Sequence, residues 1–168
     1  MSSSTNADAR SAKLQTAFQN LSAASRTLNL ASDAFGESTR ALDDSINKLN
    51  PGVTAWVTVS SSTLDENAIP PQFFEERLGY AKVSGRWGLI LCTVTIDSED
   101  GTEETNESWS FNDAPRDFRL RAINLVPALM EALAKVAEDT AKKVVDGAEL
   151  AKELAISVSR IANAKDRR

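Results

Sequence analysis

The sequence predicts an α+β fold: a long N-terminal helix, a small antiparallel β-meander of three or four strands, and a long C-terminal helix or kinked helix pair, the helices packed antiparallel in coiled-coil fashion. Three observations predict it. A heptad runs through the first fifty residues, four β-rich runs separated by turn signals fill the middle, and one broad apolar stripe runs along the last fifty. A chain of 168 residues is long enough for one domain with a real core and short of two ordinary ones. Residues 1–168 are therefore expected to form a single domain, with a disordered start over 1–6, a heptad helix over 7–49, the sheet over 53–111 and a helical segment over 113–164 kinked near Pro127.

Leu14, Leu21, Leu28, Phe35, Leu42 and Leu49 recur every seven residues. Three positions on from the first five stand Ala17, Ala24, Ala31, Ser38 and Ser45, so the second seam position is always small. A large-plus-small seam lets a second helix approach closely. Asn50-Pro51-Gly52 should end the helix, because proline disfavours helical geometry in the residue before it. Gly36 is the weakest point of the run, but the unbroken seam predicts that the helix passes through it.

The strand candidates are VTAWVTVS, RLGYAKVS, RWGLILCTVTID and ETNESWSF. All are rich in β-branched and aromatic residues. Ser84-Gly85 and Asp100-Gly101 suit hairpin turns, which makes the last three strands an antiparallel meander. In the third, Ile90, Cys92, Val94 and Ile96 form one face and Trp87, Leu89 and Leu91 the other, as a central strand requires. The place of the first strand is left open.

In the C-terminal segment Val126, Leu129, Leu133, Leu150, Leu154, Val158 and Ile161 share one face. Pro127 predicts a kink or short break. Asp146 and Glu149 have capping-box spacing around Gly147, yet the heptad continues through it and favours an unbroken helix. Two helices leave part of so broad a stripe uncovered, and a homodimer forming a four-helix bundle would cover it.

Composition excludes more than it reveals. No histidine is present and Cys92 is the lone cysteine, so a Ser-His-Asp or Cys-His nucleophile system has no base, and the usual His-containing zinc and iron sites have no ligands. No catalytic residue, metal or cofactor is expected. Residues 51–112 carry ten acids against three bases, a balance that repels phosphates, so nucleic acid is not an expected partner. No apolar run reaches membrane-spanning length and the first residues lack a secretory pattern, so membrane association is not expected and the cytoplasm is the expected location.

Four clusters are candidate sites. In SWSFNDAPRDFRLRA, residues 108–122, Asn112 or Asp113 can cap a helix opened by Pro115, Asp117 can pair with Arg121, and Arg116 and Arg119 lie three apart as a candidate anion site. The connection over 60–78 holds Pro70, Pro71, Phe73 and Phe74, a candidate partner-binding loop, with Glu75 and Glu76 solvated beside it. Trp87, Trp109 and Tyr80 are candidate pocket walls. The acidic run 97–107 does not fit a calcium loop and reads as a solvated tip that protects the sheet edge. Together these predict a non-enzymatic interaction module or chaperone-like accessory subunit that self-associates, as a dimer first of all, and presents an acidic sheet to another protein. The alternative is a sensor binding a small anionic or aromatic ligand between sheet and helices.

Overall fold

A computed structural model describes residues 3–65, 71–83 and 85–165. The elements are α1 (Ser3–Leu49), β1 (Ala55–Asp65), β2 (Gln72–Val83), β3 (Arg86–Asp97), β4 (Glu103–Ser110), α2 (Arg116–Ala122) and α3 (Val126–Lys165), with single 3-10 turns at Phe111–Asp113 and Ile123–Leu125. This is the α+β arrangement of long helix, antiparallel sheet and long helix. Among the described residues no helix is long and apolar enough to cross a membrane. The chain divides into two compact units, Met1–Leu42 and Asp43–Arg168.

The first unit is helix α1 up to Leu42. The helix starts at Ser3, ahead of the expected residue 7, and passes Gly36 without a break. Residues 10–31 are exposed throughout. Several of its hydroxyl side chains donate to the carbonyl one turn back: Thr16 to Ala12, Thr27 to Ala23, Ser32 to Leu28 and Ser38 to Ala34, at 2.8–3.2 Å. These groups are satisfied by their own helix.

In the second unit α1 ends where expected, with Asn50 in the left-handed conformation (φ 47°) that closes many helices. The sheet is a pure meander in the order β1-β2-β3-β4. β3 is central, as expected, and β1 takes an edge beside β2. Gly101 has φ +71°, which the turn after Asp97 requires and a side chain would oppose. Ser84, expected in the β2–β3 turn, lies outside the described residues.

The β1–β2 connection differs from the sequence expectation. β1 continues to Asp65 and β2 starts at Gln72, so most of the expected long loop is paired strand: Phe73 faces Thr63 and Ile96, and Phe74 faces Ser62 and Thr95. A serine run has weak strand propensity, but β2, itself paired with β3, carries the ladder along it.

Register assigns each residue a face. Leu78, Tyr80, Leu89, Leu91 and Trp109 share the face that meets α2 and α3, where Leu78, Leu91 and Leu129 are fully buried. Phe118 of α2 packs edge-on against Trp109 at 6.3 Å. The opposite face carries Trp56, Arg77, Gly79, Cys92 and Val94. There the Trp56 ring lies across Gly79, its cross-strand partner, in space that any Cβ on residue 79 would occupy. Gly79→Val is expected to push the indole outward, cost about 1–3 kcal/mol of stability and red-shift tryptophan emission; unchanged unfolding and emission would show the contact to be incidental.

Pro127 is accommodated as the sequence suggests. The helical segment breaks at the 3-10 turn Ile123–Leu125 and restarts at Val126, placing proline in a first turn that needs no amide hydrogen from it. α3 then runs unbroken through Gly147. Antiparallel coiled-coil packing along the full helices is not part of what the fold shows: Leu14, Leu21 and Leu28 on α1 and Leu150, Leu154, Val158 and Ile161 on α3 are all exposed.

Candidate functional site

The segment 108–122 is a packed joint between strand and helix. Phe111, Ala114 and Phe118 are buried. Pro115 occupies the N-cap position of α2, where its carbonyl accepts the Arg119 amide at 3.1 Å. Pro115 is itself the N-cap residue, so neither Asn112 nor Asp113 occupies the expected capping position. Arg116 is exposed, Arg119 is half-buried, and neither lines a cavity described below. The arginine that reaches the sheet is Arg121: its guanidinium donates to both carboxylate oxygens of Glu76 at 2.6 Å and lies 5.8 Å from the Phe118 ring centre. Arg121 thus pairs across to β2 rather than with Asp117, because the sheet offers a half-buried carboxylate that also accepts from Ser60.

Glu75 and Glu76 are ion-paired rather than solvated, and alternation along β2 sends them to opposite faces. Glu75 joins Arg77, whose Nε meets it at 2.7 Å while its two terminal nitrogens fork onto Glu103 at 2.8 Å each. The fork holds the Glu103 carboxyl below the usual range, and the two carboxylates raise Arg77 further. Cys92 and Val94, which this face would otherwise expose, are buried, and burial pushes the Cys92 thiol up. A shallow cavity of about 340 Å³ beside them is lined by Trp56, Arg77, Cys92, Glu103, Thr105 and Ser108. Arg77 carries a signal in the sequence: it is one of three bases among ten acids, and a rare cation in such a segment has carboxylate partners to choose from.

The expected aromatic pocket divides in two. Tyr80 and Trp87 stack with ring centres 5.5 Å apart, and the Tyr80 hydroxyl donates to Asn47 Oδ1 at 2.6 Å. Trp109 packs on Phe118 instead. Beside Trp87 a cavity of about 300 Å³ is lined by Asp43, Arg86, Trp87, Gly88, Leu89 and Ser110.

β4 ends opposite Ile90, and past that point Asp43 of α1 takes its place: Oδ1 accepts the Leu89 amide at 2.8 Å. Burial pushes the Asp43 carboxyl above the usual range, Leu89 offsets part of this, and Asp44 adds to the rise. A carboxyl raised in the folded state contributes stability below its unfolded value, near pH ~4, and loses it as pH rises through the folded value. Asp43→Asn keeps the acceptor and removes the buried charge. It should match or exceed the natural protein's stability at pH 7, with the gap closing toward pH ~4, while Asp43→Ala loses about 1–3 kcal/mol. Denaturant unfolding at the two pH values separates the variants, and an Asn variant as unstable as the Ala variant would contradict this role.

The acidic tip is self-organised. Asp97 Oδ1 accepts the Glu99 amide and Asp100 Oδ1 the Thr102 amide, each at 2.8 Å, and the Thr102 bonds draw the Asp100 carboxyl down. Among the described residues no group of acidic, Cys or His side chains is placed to hold a metal ion. Of the expected partner-binding loop, Pro71 is exposed and its carbonyl accepts the Ser98 amide at 3.2 Å, Phe73 and Phe74 are half-buried strand residues, and Pro70 lies outside the described residues. The phenylalanines are not a free loop.

Large apolar residues are exposed along both long helices. Leu14, Phe18, Leu21 and Leu28 line α1 and Leu150, Leu154, Val158 and Ile161 line α3, with exposures of 48–73 %. Their surroundings differ. Residues 14–32 of α1 contain one charge, Arg26, whereas α3 from 138 to 160 carries nine charged residues on the rest of its circumference. At its inner end α3 meets the last turn of α1 around an apolar notch of about 140 Å³ formed by Ile46, Leu49, Pro51, Met130, Leu133 and Ala137. Compared with known proteins, the chain matches no family model, no curated protein and no solved structure.

Proposed function

We propose that the protein is a non-enzymatic interaction module that self-associates through its heptad helices and presents the acidic sheet to a partner protein. One observation carries the reading: nineteen consecutive residues of an exposed helix, 14–32, hold one charge and a continuous Leu/Phe seam. A monomer rarely leaves an apolar strip of this extent in water. Burying it costs less where Thr16, Thr27 and Ser32 already donate to their own backbone. α3 suits an outer position in such an assembly, with one apolar stripe and a charged back. The smallest closed arrangement is a homodimer in which four helices share one seam. Exposed Glu103, Glu104 and Glu107 on β4 give the partner-facing side its negative charge, and a reducing compartment such as the cytoplasm suits a protein whose lone thiol is buried.

Native mass spectrometry of the untagged protein tests this. A dimer or larger oligomer without adduct is expected. A monomer carrying a small molecule would overturn the proposal and favour a ligand sensor, with the Asp43–Trp87 cavity as the place to look.

A further inference from the structure

The two edges of the sheet are protected very differently. β4 carries Glu103, Glu104 and Glu107 along eight residues, which discourages any further strand. β1 forms the other edge, and residues 53–64, which run into it and along most of its length, contain no charge and no proline. From Ser60 to Leu64 the strand is exposed, and among the described residues no strand pairs with its outer side. Two irregularities, at Thr58/Ser60 and Thr63/Asp65, bracket a regular run of four residues, Ser60–Thr63.

We propose that Ser60–Thr63 is a second contact between copies of this chain, in which β1 pairs antiparallel with β1 of another copy and joins two four-stranded sheets into one of eight. The occupant follows from charge and symmetry. β4 of another copy would bring three glutamates to the seam and leave a free edge at each end, so the chain of copies would not close. β1 with β1 is isologous, closes on itself, and places no like charges opposite each other. A one-residue slip would meet an irregularity on one side or the other, so the two bulges fix the register and confine the pairing to the run between them. The serine and threonine side chains are small and polar, so the edge stays soluble when unpaired and offers backbone groups as its main attraction. This contact is separate from the helix seam, and with both in place the oligomer exceeds a dimer.

The test uses the full chain with cysteine pairs, Ser60→Cys with Thr63→Cys or Ser61→Cys with Ser62→Cys, because a two-fold axis at the centre of the run sets Ser60 opposite Thr63 and Ser61 opposite Ser62 of the other copy. Buried Cys92 leaves the introduced thiols as the accessible ones. Directly opposed residues of an antiparallel pair lie within disulfide range. Under mild oxidation at least one pair is expected to convert more than half of the chain to a covalent dimer, at least tenfold above Glu104→Cys with Glu107→Cys on the opposite edge, and to do so equally in a Leu21→Asp/Leu28→Asp background. Ser61→Lys with Thr63→Lys is expected to lower the mass of the assembly by half without moving its melting temperature. Cross-linking no better than Glu104→Cys with Glu107→Cys for both pairs, or an unchanged mass for the lysine variant, overturns the β1 contact. A mass unaffected by Leu21→Asp/Leu28→Asp overturns the helix seam instead, so the two failures are distinguishable.

Discussion

Leu91→Ala is expected to destabilise the protein by about 2–5 kcal/mol. Leu91 is fully buried on β3, between Leu78 and Trp109 on its two neighbouring strands, and α2 and α3 close over that face. Close packing there leaves little freedom to collapse into the missing volume. Urea unfolding followed by tryptophan emission reads the loss, with Leu120→Ala as the comparison, because Leu120 is half exposed and its truncation should change stability by less than about 1 kcal/mol. Equal effects from the two substitutions would mean that the sheet–helix layer is not the core of the second unit.

Leu21→Asp combined with Leu28→Asp should weaken self-association at least about hundredfold, since each buried, unpaired carboxylate costs several kcal/mol and each 1.4 kcal/mol is a factor of ten. Sedimentation velocity across a dilution series reads it. Neither position belongs to the second compact unit, so a cooperative tryptophan unfolding transition should persist while the helix seam comes apart. An assembly whose mass is unchanged by both aspartates has no contact through the helix seam.

The sequence made the elements legible where one period dominated. The heptad of α1, the alternation of β3 and the proline break before α3 all concern neighbours a few residues apart, and the backbone follows them. What it concealed were groups whose meaning depends on distant partners. Nothing in the Asp43-Asp44 pair announces that one carboxylate will stand in for a missing strand at Leu89, 46 residues away. Arg121 was legible as a helical neighbour of Asp117, but Glu76 lies in the sheet and competes successfully because it is half-buried and already hydrogen-bonded. The same holds for Phe73 and Phe74. Next to a proline pair and a serine run they read locally as loop, and only the ladders with β1 and β3 make them strand.

The strict order of the meander has a kinetic consequence. Every strand pairs with its neighbour in sequence, so the sheet can form by successive zipping of hairpins, each closing a short loop, rather than by a search among distant segments. As the chain leaves the ribosome, β1 to β4 are complete before any of α2 or α3 exists, and the Leu78, Tyr80 and Leu91 face waits in water for Phe118, Leu129 and Leu133. The hairpins therefore set the pace of the early steps, and docking of the C-terminal helices is the event that closes the core and makes the fold cooperative.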